Sequence, residues 1–254
     1  MAVGQKELLR REKFGDYWNH ELKLVFEDIA ARYDAANGFF SLGIWNLIRR
    51  RFVRTVSLPP GSKVLDVCAG TNAVGIDLLL RNPELEIIAL DRSEAMQRIG
   101  TARALEKGLR IESIISDAHT LPFPDNSFDA VTTEAATRHL AVKTVFTEIY
   151  RVLKPGGSYY HCDLVKPTNP LIAFGYRGYL RVMIPVTTLT FFRRGKFLGL
   201  RERALKLSDY FIEAIHRFYT ADELTLVMEE VGFSDVSAKT LAGGTVAIHV
   251  GKKA

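Results

Sequence analysis

From Lys63 onward, short apolar runs alternate with stretches that repeat their apolar side chains at helical spacing. Residues 63–67, 86–90, 111–115, 128–132 and 158–164 are compact apolar runs bounded by turn residues, which predicts buried strands. Residues 73–81, 94–106 and 142–152 carry the amphipathic pattern of helices. The alternation predicts an α/β fold. It is a Rossmann-like, mostly parallel sheet with right-handed crossovers and ligands at the carboxyl ends of its strands. Lys154-Pro155-Gly156-Gly157 reads as a tight turn after a helix whose last residues include Arg151. A helix over 221–231 then leads to apolar runs at 234–240 and 244–250. Only Ala242-Gly243-Gly244 separates them, so they form a hairpin and the sheet ends in an antiparallel strand.

Upstream, the pattern is helical from Trp18 to about Val56, with a break expected at Asn37-Gly38. Leu58-Pro59-Pro60-Gly61-Ser62 is a turn cluster. It divides a helical N-terminal cap, residues 1–57, from the sheet-bearing part, 58–254, which includes a helical lid at 169–207. Residues 1–16 are charged and are expected to fray.

Composition narrows the picture only a little. A chain of 254 residues can bury a sizeable core. Its net charge of +5 suits an acidic substrate, an anionic membrane surface or a nucleic acid, and selects none of them. Cys68 and Cys162 read as reduced core residues, which favours a reducing compartment. The charged N-terminus lacks the apolar core of a signal peptide, and no run reaches spanning length. No His, Cys or carboxylate cluster has metal-ligand spacing, so no metal is expected.

The chemistry gathers at the strand ends. Val64-Leu65-Asp66-Val67-Cys68-Ala69-Gly70-Thr71 is a strand running into a small-residue turn, and Asp91 closes the next strand. An acid there can accept both hydroxyls of a ribose. Asp117 follows the third strand. Each acid could instead cap a helix or turn, as Ser93-Glu94 after Asp91 suggests. One ligand shared by all three strand ends is the simpler account. The loop lacks the three-glycine spacing of a pyrophosphate site, so an adenosine cofactor without that group fits better.

Further motifs sharpen this. Asp117-Ala118, then Leu121-Pro122-Phe123-Pro124-Asp125-Asn126-Ser127-Phe128-Asp129, and Arg151-Val152-Leu153-Lys154-Pro155-Gly156-Gly157 resemble the class I S-adenosylmethionine-dependent methyltransferases. Ile29-Ala30-Ala31-Arg32-Tyr33-Asp34, Ser41-Leu42-Gly43-Ile44, Arg138, Lys166-Pro167 and Leu241 to His249 resemble the ubiquinone/menaquinone-biosynthesis C-methyltransferases within that class. The resemblance runs from about Phe26 to Gly251. It implies S-adenosylmethionine as cofactor, held by Asp66, Ala69, Gly70, Thr71, Asp91, Arg92, Met96, Asp117, Ala118 and Glu134. It implies ring C-methylation of a prenylated hydroquinol, demethylmenaquinol to menaquinol, with Tyr33 and Arg138 facing the reacting centre. Tyr33 is equally an anchor between cap and sheet. The alternatives are another lipophilic acceptor, or a cofactor-binding subunit without turnover in a membrane-associated assembly.

Departures from the family pattern bear on the acceptor. Ala69-Gly70-Thr71-Asn72-Ala73 stands where the family has Gly-Gly-Thr-Gly-Asp. Asn72 can keep a left-handed turn. Glu134 replaces a serine, and His139 an asparagine. A hydroquinol carbon becomes nucleophilic when its hydroxyl loses a proton. Arg138 is expected to stabilise that phenolate, with His139 or Glu134 as base, His139 titrating in the useful range.

Residues 169–207 interleave Phe174, Tyr176, Tyr179, Leu180, Met183, Phe191, Phe192 and Phe197 with Arg177, Arg181, Arg193, Arg194, Lys196, Arg201, Arg203 and Lys206. Glu202 is the only acid. The segment lies where the family places its substrate cover, which favours a lid that touches anionic lipid. A base-stacking groove and an ordinary helical cap compete with that reading. The expected setting is cytoplasmic, peripheral on the inner face of the cytoplasmic membrane, with no nucleic-acid partner and with homodimerisation open.

Overall fold

The computed structural model describes residues 3–16, 18, 21–191 and 209–254. Its centre is a seven-stranded sheet in the order β3-β2-β1-β4-β5-β7-β6. The strands are β1 (Lys63–Val67), β2 (Glu86–Asp91), β3 (Glu112–Ile115), β4 (Phe128–Glu134), β5 (Leu153–Leu164), β6 (Phe233–Leu241) and β7 (Val246–Lys253). Strands β1 to β5 pair in parallel, and β7 runs antiparallel to both its neighbours. The chain steps outward from β1 to β2 and β3, then returns to β4 on the other side. The crevice beyond the carboxyl ends of β1 and β4 is therefore a switch point, where α/β sheets hold ligands.

Helices cover both faces at the centre of the sheet, so β1, β2 and β4 are largely buried, while the edge strands β3 and β6 are largely exposed. Successive β1 residues feed opposite sides: Val64 joins one buried cluster, Leu65 and Val67 the other. Helices α5 (Ala73–Arg81), α6 (Glu94–Glu106), α7 (Val142–Val152) and α10 (Ala221–Val231) match the expected crossovers. Thr220 and Glu223 close a reciprocal capping box at the start of α10. Ser93 caps α6, its hydroxyl accepting from the Met96 N–H at 3.3 Å.

Three expectations need correction. Residues 3–16 form helix α1 rather than a frayed end. Arg10 holds it: the guanidinium is buried, donates to the carbonyl of Arg138 at 2.9 Å, and lies over the rings of Trp18, Phe218 and Tyr219. The helix expected to break at Asn37-Gly38 continues as α3 (Tyr33–Phe40). The reversal falls at Leu42 and Gly43, both at positive φ, before α4 (Ile44–Thr55). The Lys154–Gly157 turn is taken up inside β5 as an irregularity in the β4–β5 register, with Gly156 at φ 78°.

Upstream of the sheet, α2 (Leu22–Ile29) packs on α6, α3 on α4 and α4 on α5. Helix α8 (Pro170–Phe191) packs against α3, and α9 covers the described helical residues 209–216. Of the expected lid, Phe192, Arg193, Arg194, Lys196, Phe197, Arg201, Glu202, Arg203 and Lys206 lie outside the described residues. Among the described residues no helix is long and apolar enough to cross a membrane.

Candidate active site

The turn after β1 is built from left-handed residues. Cys68, Gly70 and Asn72 have φ of 58°, 54° and 56°. A side chain added at Gly70 would meet nothing within 4 Å, so this backbone borders open space. Asn72 is buried and carries the turn, as its tolerance of that conformation predicts. Gln97 holds it there. Its Nε2 donates to the Gly70 carbonyl at 3.0 Å and to Asn72 Oδ1 at 2.9 Å, and its Oε1 accepts from Ser113 Oγ at 2.6 Å. Gly100 makes room, since a Cβ there would lie 2.6 Å from Asn72 Cγ. Neither Gln97 nor Gly100 belonged to any motif in the sequence. Only the lone helical glycine opposite a non-glycine turn pointed to them.

The strand-end acids are placed by backbone amides. Asp91 Oδ2 accepts from the Gly70 N–H and Oδ1 from the Ser93 N–H, both at 2.9 Å. Asp91 thus fixes the loop and the start of α6 together, and each oxygen keeps a lone pair for a hydroxyl. Burial pushes its carboxyl above the usual range, against those same bonds. Asp117 is half-exposed and is held down to about 2, chiefly by its bond to His119. Asp66 is fully buried. Its Oδ1 accepts from Thr132 Oγ1 at 2.8 Å, Oδ2 has no partner among the described residues, and burial raises the carboxyl to about 7.

Four adjoining cavities surround Tyr33, which lines all of them. The cleft at the strand ends is ≈ 710 Å³ and is lined by Gly70, Asp91, Arg92, Met96, Asp117, Ala118, Glu134 and His139 among others. Asp66, Ala69 and Thr71 line a smaller, more polar chamber of ≈ 410 Å³ beside it, with Glu134 at the boundary. Two apolar cavities of ≈ 740 and ≈ 760 Å³ lie towards α3, α4, α8 and α9, and Arg138 lines both. The expected catalytic set is therefore divided: Glu134 and His139 on the cleft side, Arg138 on the apolar side, Tyr33 between.

Each charged member has a partner the sequence did not show. Glu134 Oε2 accepts from Arg49 Nε at 2.8 Å. Burial raises the Glu134 carboxyl, Arg49 opposes that, and Oε1 has no bond of good geometry. Arg138 Nη1 donates to the buried Asp163 at 2.5 Å and to the Ala135 carbonyl at 2.6 Å. Thr71 Oγ1 donates to Asp34 at 2.9 Å, and Arg103 binds the same carboxylate at 2.5 Å, fastening α3 to the loop. Arg92 donates to the Trp18 carbonyl. His139 corrects an expectation. Its ring is buried, with Nδ1 2.7 Å from Tyr210 Oη, and burial with the charges of Arg138, Arg10 and Arg92 pushes its pKa well below normal. It stays neutral where it was expected to titrate.

A family model described as the ubiE/COQ5 methyltransferase family matches residues 16–253. The chain belongs to the ubiE/COQ5 methyltransferase family. It is 34% identical over 233 residues to a protein named demethylmenaquinone methyltransferase from Symbiobacterium thermophilum, covering 90% of this chain and 91% of that protein. It is 32% identical to a protein named ubiquinone/menaquinone biosynthesis C-methyltransferase from Ectopseudomonas mendocina, covering 90% and 87%. Solved methyltransferases share the fold. One from Thermotoga maritima has a TM-score of 0.59 at 18% identity, covering 91% of this chain and 98% of its own. One from Aquifex aeolicus has a TM-score of 0.56 at 18% identity, covering 81% and 89%. This ubiE/COQ5 member is thus an S-adenosylmethionine-dependent methyltransferase with the class I fold.

Proposed function

We propose that this methyltransferase methylates a ring carbon of a prenylated hydroquinol of the demethylmenaquinol type. One observation carries the reading: Tyr33 lines both the strand-end cleft with Asp91 and Asp117 and the two apolar cavities that Arg138 shares. A greasy acceptor in those cavities can present its ring at the one polar point between them. The relatives are named for methylation of demethylmenaquinone and for C-methylation in ubiquinone/menaquinone biosynthesis, which supports the reading.

The residues fit S-adenosylmethionine. Asp91 is the acid for the ribose hydroxyls, and Asp117 with Ala118 meets the adenine. Gly70 leaves open space beside the loop, and the unpartnered oxygen of Asp66 would suit the ammonium of the amino-acid end. Arg92 and Met96 complete the walls. The cofactor supplies a methyl group on an electron-poor sulfonium. The protein's own work is on the acceptor. Arg138, braced by Asp163, stabilises the phenolate left when the acceptor hydroxyl loses its proton. The charge spreads to the neighbouring ring carbon, which bonds the methyl carbon as the methyl–sulfur bond breaks. The ring then loses its own hydrogen as a proton and regains aromaticity.

Glu134 is the base in this reading, directly or through Tyr33, whose hydroxyl lies in the fields of Glu134, Arg49 and Arg138. A raised carboxyl pKa brings it closer to a phenol, and closer matching eases the transfer. Aligning donor and acceptor supplies most of the acceleration, since positioning can lower a barrier by about 7–11 kcal/mol.

The test is anaerobic product analysis by mass spectrometry with S-adenosylmethionine and a short-chain demethylmenaquinol, the oxidised quinone serving as control. Ring-methylated product from the reduced form alone is expected. Absence of product while S-adenosylmethionine binds moves the reading to another acceptor or to a non-catalytic subunit. In the same assay Glu134→Gln loses roughly 10²-fold or more in kcat, the span of general-base effects, while His139→Ala keeps most of it. Full turnover in Glu134→Gln between pH 6 and 9 removes the base assignment.

A further inference from the structure

Behind Arg138 a string of buried polar groups crosses the sheet. Asp163 Oδ1 accepts from Arg138 Nη1 at 2.5 Å, and Oδ2 from the Arg138 backbone N–H at 3.2 Å. Thr137 Oγ1 donates to Asp163 Oδ2 at 2.7 Å and lies 2.8 Å from His161 Nε2. His161 faces His249 across the β5–β7 pair, with their Nδ1 atoms 3.2 Å apart. His249 Nε2 meets the Ala221 carbonyl at 2.9 Å. Thr137, His161, Asp163 and His249 are all fully buried.

The hydrogens can be assigned by elimination. A carbonyl only accepts, so His249 Nε2 carries a hydrogen. Burial lowers the pKa of both rings, that of His161 to about 3, so both are neutral. A carboxylate only accepts as well, so Thr137 gives its single hydrogen to Asp163 Oδ2, and the His161–His249 pair packs behind that hydroxyl.

Such a string costs stability. Apolar side chains of similar volume would pack in the centre of a sheet without the loss of hydration that four polar groups suffer. The fold has no local need for it, because β5 and β7 pair through their backbones regardless. What the string does reach is Arg138, the one charged side chain that lines both apolar cavities. We propose that Thr137, with His161 and His249 packed behind it, is a positioning residue that holds Asp163, and through it the Arg138 guanidinium, at the acceptor's phenolic oxygen. This rests on the reading of Arg138 given above, because the string has no route to the acceptor except through that residue.

The test compares Thr137→Val, which removes the hydroxyl at nearly constant shape, with Thr137→Ser, which restores it. Anaerobic turnover of the short-chain demethylmenaquinol is expected to fall in kcat by roughly 10²-fold in Thr137→Val, as for a small misplacement of a reacting group. S-adenosylmethionine affinity by calorimetry is expected to stay within about twofold, since ground-state cofactor binding is untouched. Thr137→Ser recovers most of the rate. In an Arg138→Ala background Thr137→Val adds no further loss, as expected for residues that act as one unit. Multiplicative losses, or full kcat in Thr137→Val, overturn the proposal. A second readout does not depend on the acceptor. The ¹⁵N resonances of the Arg138 guanidinium should move in Thr137→Val and return in Thr137→Ser. An unmoved Arg138 signal defeats the positioning proposal whatever the acceptor. Unchanged turnover in Arg138→Ala would instead defeat the reading of Arg138 itself.

Discussion

Asp66 is a buried carboxylate near the end of the central strand β1, and its burial has a measurable consequence. Its pKa is raised from 3.8 to about 7, mainly by loss of hydration, with only the Thr132 hydroxyl as a well-placed donor. The folded chain therefore binds this proton more tightly than the unfolded chain does. Stability from Asp66 is fully present below about pH 4, falls as pH rises towards 7, and is level above that. Asp66→Asn keeps an oxygen for Thr132 and removes the charge. Its melting temperature should lack that fall and exceed the parent's above pH 7, by an amount on the order of a few kcal/mol in stability. Parallel melting curves for both chains across about pH 4–8 would defeat the prediction. Residues of this kind were legible where chemistry sits at a strand end, as with Asp91 and Asp117. Their partners were not. Arg49 finds Glu134, Asp163 finds Arg138, and Arg103 finds Asp34 across separations that spacing along a chain cannot show. The neutral state of His139 was hidden for the same reason, because the cations that depress it include Arg10 and Arg92, which are remote in sequence.

Among elements, strands and crossover helices were legible because each satisfies one strong local pattern. β1 has the expected bounds, and α5, α6 and α7 also match. Helix α1 was not legible, since its hold is tertiary: a buried arginine over three aromatic rings. The shifted break before α4 has a plain cause. Asn37-Gly38 tolerates a helix, and Leu42-Gly43 supplies the left-handed residues the reversal requires. The contact of α6 with the loop after β1 yields an element-scale prediction. An added methyl at Gly100 would lie 2.6 Å from Asn72 Cγ and 2.8 Å from the Thr71 carbonyl carbon, and the second atom is backbone and cannot swing aside. Gly100→Ala should cost about 1–3 kcal/mol as overpacking, read by urea denaturation. It should also weaken S-adenosylmethionine binding at least tenfold, because Gln97 and Asn72 shape the loop that faces the cleft. Unchanged affinity would mean the loop tolerates displacement and that its shape is not what binds.

At the scale of the molecule, the helices that wall the apolar cavities also carry exposed apolar side chains and cations. Ile44 and Tyr176 line the ≈ 740 Å³ cavity from α4 and α8. Near them Leu42, Leu47, Leu171 and Phe174 are 66%, 64%, 81% and 81% exposed. Exposed Arg50, Arg51, Arg54 and Arg181 lie on the same two helices. The proposed prenylated acceptor resides in a bilayer, so exposed apolar and basic side chains on these two helices suit docking on an anionic surface. Each cation near such a surface adds about 1 kcal/mol, and salt weakens the attraction. The protein should float with vesicles containing anionic lipid and remain behind with neutral ones, and the difference should shrink at high salt. Phe174→Glu and Leu47→Glu should abolish flotation. They should slow methylation of a long-chain acceptor held in vesicles, yet leave turnover of a short-chain acceptor in solution unchanged, because neither residue lines the cleft around Asp91 and Glu134. Equal loss on both acceptors would place these side chains in the fold rather than on a membrane. Flotation that ignores lipid charge would leave the arginines of α4 and α8 without the role argued for them.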